Sequence, residues 1–301
     1  MKKRSLGTRI KNEYLGKIYT TFCGIFIIIL TITIIGFIAM KGTATFYHDK
    51  HSVFTFLFSN VWKPDADASK GGPVFGTLIF IKGSTLISIG AVILSAPVSI
   101  ALAVFINLIS PKLGNKVIQP ALELFVGIPS VVYGWVGISI LVPLIKQIFG
   151  GVGFSVLAGI VVLSIMILPT IASISSDAIR SISKDYVEAS YGLGATRWQT
   201  IIKVIIPASK SGILTGIVLG LARAFGEALA VQMVIGNTIK SPNGLLSTAS
   251  TITSIITMDM ANTTTGSAWN DSMWSLALLL LIISFIFILL IRLIDKKGDV
   301  K

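Results

Sequence analysis

Charge is what this sequence has least of. Of 301 residues only 13% are charged, against 53% hydrophobic, and the mean hydropathy is +0.86. An ordinary soluble domain carries about 25% charged residues. A water-soluble fold of this length would therefore expose more apolar area than its surface could hide. Intrinsic disorder is excluded by the same numbers, because it needs low hydrophobicity. Cysteine is reduced to one, Cys23 inside an apolar run, so no intramolecular disulfide can form. Histidine is reduced to two, His48 and His51 in one polar segment, which is too few for a metal site. No Gly-x-x-x-x-Gly-Lys-[Ser/Thr] phosphate loop, no His-Glu-x-x-His and no Gly-x-Ser-x-Gly occurs. No catalytic residue, no cofactor and no nucleotide hydrolysis is expected of this chain, so energy for any work must come from a partner or an ion gradient.

What is present is a set of long uncharged runs. Ile18 to Met40 is 23 residues without a charge, enough to cross a hydrocarbon core of ~30 Å at ~1.5 Å per residue. Gly83–Ser110, Leu124–Ile145, Ile148–Ser176 and Trp274–Ile291 are similar. A further apolar stretch, Pro207–Ile239, is interrupted by Arg223 and Glu227. The count is six spans, an all-α polytopic membrane protein. The first run exceeds the ~7–15 apolar residues of a signal peptide, so a retained first helix is expected.

Lys and Arg total 25 against 13 acidic residues, a net charge of +12. In a soluble protein that surplus would suggest nucleic acid; here its placement reads as topology. With the N-terminus inside, 17 basic residues fall in cytoplasmic segments and 6 outside, leaving Lys82 and Arg223 at a boundary or within the membrane. Basic residues in short loops stay on the cytoplasmic side, so both termini are expected there, as an even number of spans requires. No nucleic-acid partner is implied.

The cytoplasmic segment between the fourth and fifth spans carries the most information. Asp185 with Glu188, and Thr196 with Gln199, have the spacing of reciprocal helix caps. Gly192 and Gly194 lie between them, where a helix can end in a left-handed turn. Two short helices joined by a glycine turn are expected. Glu188-Ala189-Ser190, then Gly194 six positions after the glutamate, then Val204-Ile205-Ile206-Pro207, resembles the EAA loop of ABC importer permeases. Ser190 replaces an alanine of the pattern, Val204 an isoleucine and Ile206 a leucine. The resemblance implies that Glu188, Ala189, Ser190, Gly194 and Pro207 belong to a loop that docks on a separate ATPase subunit.

Two more segments narrow the resemblance. Phe125-Val126-Gly127-Ile128-Pro129-Ser130-Val131-Val132-Tyr133-Gly134 breaks the third span, and Arg223-Ala224-Phe225-Gly226-Glu227-Ala228-Leu229-Ala230-Val231 crosses the fifth. With the EAA loop they resemble the PstC-type permease subunits of phosphate-specific ABC importers, over roughly residues 72 to 292. The resemblance implies the type I importer permease fold, with a permease domain over 71–295. Residues 1–70 form the N-terminus, first span and outer segment, and 296–301 a cytoplasmic tail. It implies inorganic phosphate as substrate and the plasma membrane of a prokaryote as location. The implied partners are a PstA-like second permease, an ATPase dimer and an external phosphate-binding protein. A permease for molybdate or sulfate, or the sister PstA subunit, is the alternative.

The residues themselves lead to a compatible picture. Gly212, Gly216 and Gly220 repeat every four positions, which lets a neighbouring backbone approach. At about 100° per residue Arg223 and Glu227 project from the same side, toward the bundle interior. A charge facing lipid would cost at least ~2.5–3.5 kcal/mol. Four apart on one helix, the two could meet as an ion pair or line a watery path. Ser130 and Tyr133, hydroxyl-bearing residues at the break of the third span, are the other candidates for substrate contact; a structural kink is the competing reading. Glu123 is expected in an ion pair at the inner face.

Overall fold

The computed structural model describes residues 6–66 and 72–298. The spans appear in the expected order. The first is Leu6–Gly42. The second is Leu78–Val104, continued by a wider π-helical turn to Ile109. The third is Gln119–Gly127 followed, after a break, by Ser130–Phe149. The fourth is Val156–Arg180, and the sixth Ala268–Gly298. The fifth starts as Arg197–Ala208 and bends by 66° into Lys210–Gly226. Among the described residues five helices are long and apolar enough to cross a membrane singly, and the bent pair, taken as one span, makes six.

Two boundaries differ from the sequence reading. The apolar run starting at Ile148 does not open the fourth span. Gly150, Gly151 and Gly153 all adopt positive φ (77°, 72° and 82°), a conformation that costs glycine nothing. They build the outer turn, and Ser155 then caps the fourth helix by accepting from the Ala158 amide at 3.2 Å. The fifth span likewise does not continue to Ile239. It ends at Gly226, and a separate helix, Leu229–Ile235, follows.

The fourth span is the hub. Leu163, Ile167 and Ile171 are fully buried on it, and the second, fifth and sixth spans and the Leu229–Ile235 helix are arranged about it or its neighbours. The glycine ladder is what lets the fifth span lie against it: Gly216 faces the Ile171 carbonyl and Ile174, and Gly220 faces the Ile171 side chain. The first span is the opposite case, its apolar surface lying open to lipid while it packs on the sixth. The outer segment has no core of its own. Phe56, Trp62 and Phe75 pack on Phe80 of the second span and on Met273 and Leu276 of the sixth. A two-stranded ribbon, Trp62–Lys63 with Val74–Phe75, holds the aromatic rings in place.

At several glycines, Gly83 among them, the obstacle to a side chain is backbone, which side-chain movement cannot relieve. A Cβ at Gly83 would run into the carbonyl oxygen of Ser250, which is backbone and has nowhere to go. Gly83→Ala is expected to destabilise the fold by about 1–3 kcal/mol, read as a lower thermal midpoint of the detergent-purified protein. Gly24→Ala, where nothing lies within 4 Å, should stay within about 0.5 kcal/mol of the parent.

Candidate functional site

The cytoplasmic segment folds as two helices, Lys184–Gly192 and one starting at Arg197. The first is not capped by the Asp185–Glu188 pairing. Ser183 sits in extended backbone one residue before the helix, and its hydroxyl accepts from the Asp185 amide at 3.3 Å. That places Asp185 inside the first turn and leaves Glu188 exposed. The second cap forms as the spacing implied: Thr196 accepts from the Gln199 amide at 3.3 Å, and Gln199 accepts from the Thr196 amide at 2.8 Å. Between the helices Gly194 has φ +81°. Ser190 and Thr200 share a buried hydroxyl contact at 2.9 Å, so the serine that replaces alanine in the motif clasps the two arms together.

This element is tied to the membrane helices. The Arg197 guanidinium donates to the Leu108 carbonyl and, at 3.3 Å, to that of Ile109, in the π-helical turn that ends the second span. Arg180 donates to Asn107 and Asn115 at 3.4 and 3.1 Å. On the open side it presents apolar side chains: Leu193 is 90% exposed, with Tyr186 and Trp198 each 60%. Large apolar side chains this exposed are candidates for an interaction surface. Glu123 forms no ion pair among the described residues. It is exposed and accepts from Gln119 at 3.5 Å, one turn away on its own helix.

The break in the third span falls where proline and glycine placed it. The helix stops at Gly127, Ile128 and Pro129 are extended, and a new helix starts at Ser130. Tyr133, nearly buried, donates its hydroxyl to the Phe125 carbonyl at 2.8 Å across the gap. Its one O–H is committed there, satisfying a carbonyl the break would otherwise orphan. Ser130 is half-buried and makes no hydrogen bond through its side chain among the described residues.

Arg223 and Glu227 do not pair. Glu227 has φ −75° and ψ 125°, so it lies outside the helix that carries Arg223, and the four-residue spacing loses its meaning. No ion pair joins them within 4.0 Å. Each charge is met by a helix end instead. Arg223 occupies the last turn of Lys210–Gly226, where the backbone dipole favours a cation. Its guanidinium donates to the Thr170 hydroxyl of the fourth span at 3.1 Å. Glu227 covers the start of the next helix and accepts from the Ala230 amide at 3.0 Å. Its backbone carbonyl accepts from the Thr253 hydroxyl at 2.8 Å.

Around Glu227 lies a small polar cavity of about 10 Å³, lined by Ser84, Ser88, Thr251 and Thr253 among others. That is room for one water at most, so the niche is closed in this conformation. The structure thus brings Arg223 and Thr170 together, and sets Glu227 in an adjacent hydroxyl cluster. Sequence reasoning missed Thr170, Ser84, Ser88, Thr251 and Thr253. The available signal was serine and threonine recurring inside otherwise apolar runs, which alone is common in membrane helices. The cap gives a test: Glu227→Gln keeps an accepting oxygen and should leave thermal stability almost unchanged. Glu227→Ala removes the cap and should cost about 0.5–2 kcal/mol.

Comparison with known proteins shows the family. Residues 95–299 match the family model "Binding-protein-dependent transport system inner membrane component". The chain is 49% identical over 291 residues to the probable ABC transporter permease protein YqgH of Bacillus subtilis, covering 96% of this chain and 93% of that one. It is 33% identical over 273 residues to the phosphate transport system permease protein PstC of Pasteurella multocida, covering 82% of each. The PstC of Mesorhizobium japonicum is 32% identical over 268 residues, 82% of this chain and 80% of that one. Among solved structures, a bacterial ABC transporter in complex with an alginate-bound periplasmic protein superposes with a TM-score of 0.67 at 18% identity, covering 98% of both chains. The MetNI methionine transporter gives 0.57, also at 18% identity, over 73% of this chain and 94% of that one. At such identities these two speak to the fold.

Proposed function

This chain belongs to the family of binding-protein-dependent transport system inner membrane components, as a multi-pass permease subunit of an ABC importer in the bacterial plasma membrane, and we propose that the substrate it passes is inorganic phosphate. The observation that carries the reading is Arg223. A half-buried guanidinium in a membrane bundle, with no carboxylate within 4.0 Å among the described residues, suits an anionic substrate. Its planar fork of donors suits a tetrahedral oxyanion, and the Thr170 hydroxyl beside it adds a second polar group. The PstC relatives support phosphate in particular.

The work divides between chains. One set of six spans supplies one wall of a path, so a second, PstA-like permease is proposed as the other. An ATPase dimer would dock under Glu188, Ala189, Ser190 and Gly194, where the exposed Leu193, Tyr186 and Trp198 need covering. An external phosphate-binding protein would deliver substrate. Movement at the ATPase face reaches the second span through Arg197, whose guanidinium holds that span's last carbonyls. Pro207, at the bend before Lys210–Gly226, is proposed as the joint that turns this movement into the fifth span and hence Arg223. Ser130 would contribute a hydroxyl to the path from the break of the third span, with Tyr133 forming its wall.

The test is reconstitution of the chain with the second permease, ATPase and binding protein in liposomes. ATP-dependent accumulation of labelled phosphate, not competed by a tenfold excess of sulfate or molybdate, is expected. Competition by either oxyanion reassigns the substrate. Uptake by this chain without the ATPase overturns the division of labour.

A further inference from the structure

The outer end of the molecule holds a group of side chains that the transport reading does not use. His48 and Asp49 follow the short helix Ala44–Tyr47, just beyond the first span. Asp271 stands in the first turn of the sixth span. One potential ligand atom from each of the three lies within 4.8 Å of the others. His48 Nδ1 is 3.3 Å from Asp49 Oδ1.

The His48 ring is the one potential cation beside the two carboxylates among the described residues. Asp271 is only 8% exposed, and its side chain makes no hydrogen bond or ion pair among the described residues. The second oxygen of Asp49 is buried and also lacks a hydrogen-bond partner. Neither carboxylate has a Lys or Arg within 4.0 Å among the described residues. Two carboxylates held within 4.8 Å of one another, one of them on a residue only 8% exposed, repel each other. A cation between them removes that repulsion.

From this juxtaposition we infer a divalent transition-metal site, of the type Zn²⁺ occupies, formed by His48, Asp49 and Asp271 on the external face. The donor set selects the ion. Imidazole nitrogen with carboxylate oxygen suits Zn²⁺ and its transition neighbours, whereas Ca²⁺ and Mg²⁺ prefer oxygen alone. Bonds of about 2.0–2.2 Å at tetrahedral angles set ligand atoms roughly 3.4 Å apart, close to the observed His48–Asp49 separation. Asp271 needs only a side-chain adjustment to join them. The ground beneath is already firm. Ser275, one turn after Asp271, donates to the Gly42 carbonyl at 2.7 Å and lies 2.8 Å from the Thr45 hydroxyl, stapling the end of the first span to the sixth. His48, with its side chain 75% exposed, gives the ion an entrance and leaves coordination positions open to water. The bound ion would clamp the first span, which otherwise faces lipid over most of its length, onto the sixth.

The experiment uses the full chain, purified in detergent and stripped with EDTA. It is then loaded with ZnCl₂, MnCl₂ or CaCl₂, gel-filtered and assayed for retained metal and thermal midpoint. One Zn²⁺ per chain and a midpoint raised by several degrees are expected for the parent, with Ca²⁺ retained far less. His48→Ala and Asp271→Asn should each weaken Zn²⁺ binding at least about tenfold and abolish the thermal shift. Asp271→Asn without metal should unfold no earlier than the stripped parent, because it removes one of the two repelling charges. Equal retention by the parent and both variants means adventitious binding and overturns the site, as does no retention by the parent. Preferential retention of Ca²⁺ overturns the choice of ion. Should Asp271→Asn fail to fold, His48→Ala decides alone, since its exposed side chain is not needed for packing.

Discussion

Arg223→Gln is expected to abolish phosphate uptake while the transporter still assembles and reaches the membrane. Glutamine keeps most of the side-chain volume and one donor group, so packing against the fourth span survives. What disappears is a full positive charge and the paired donors of the guanidinium. Charge-assisted hydrogen bonds contribute about 1.5–3 kcal/mol each, so losing the pair should lower uptake by roughly 100-fold or more. Arg223→Lys should recover part of it, because a point charge attracts the anion without the fork geometry. The structure adds a sharper form of this test. Arg223 and Glu227 lie on either side of a helix break and each is balanced by its own helix end. Adding Glu227→Gln to Arg223→Gln should therefore restore nothing, and the stability effects of the two changes should simply add. Uptake regained in the double variant would mean that the pair exists in a functional state and that Arg223 is a structural ion-pair partner rather than the phosphate site.

Gly194→Val and Glu188→Arg are expected to leave a folded, inserted chain whose complex no longer couples ATP hydrolysis to phosphate. The two act differently. Gly194 has φ +81° with nothing within 4 Å of a Cβ, so the cost is backbone strain, about 1–3 kcal/mol for a β-branched residue. It falls on the turn that sets the angle between the two cytoplasmic helices. Glu188 is exposed and unstrained, so reversing its charge changes the surface offered to the ATPase and little else. Phosphate-stimulated ATP hydrolysis in the assembled transporter is the measurement, with thermal midpoint as the control. Normal stimulation in both variants would remove this loop from the coupling path. A third variant, Leu193→Ser, takes the most exposed apolar side chain from the same surface. It should weaken ATPase association without touching the chain's own stability.

Much of this was determined along the chain itself. Six apolar runs and the distribution of lysine and arginine determined the number of spans and their direction, because the bilayer reads hydrophobicity over about twenty residues regardless of what packs beside it. The Thr196–Gln199 cap, the left-handed Gly194 and the break at Pro129 were equally local, each resting on a conformational preference of a few consecutive residues. The tertiary structure decided what depends on partners distant in sequence. Charge periodicity could not show that the fifth span stops at Gly226, because Arg223 and Glu227 remain four apart whether or not a helix joins them. The break is held by contacts from elsewhere: Thr170 on the fourth span takes the arginine, and Thr253 binds the Glu227 carbonyl. The turn at Gly150–Gly153 ended one helix inside a run that apolarity alone would extend. Two histidines in one loop are too few for a metal by themselves; folding brings Asp271 beside His48 from more than two hundred residues away, and the proposed site rests on that juxtaposition. Local propensity is written in neighbours; a site is written in side chains that only packing makes neighbours.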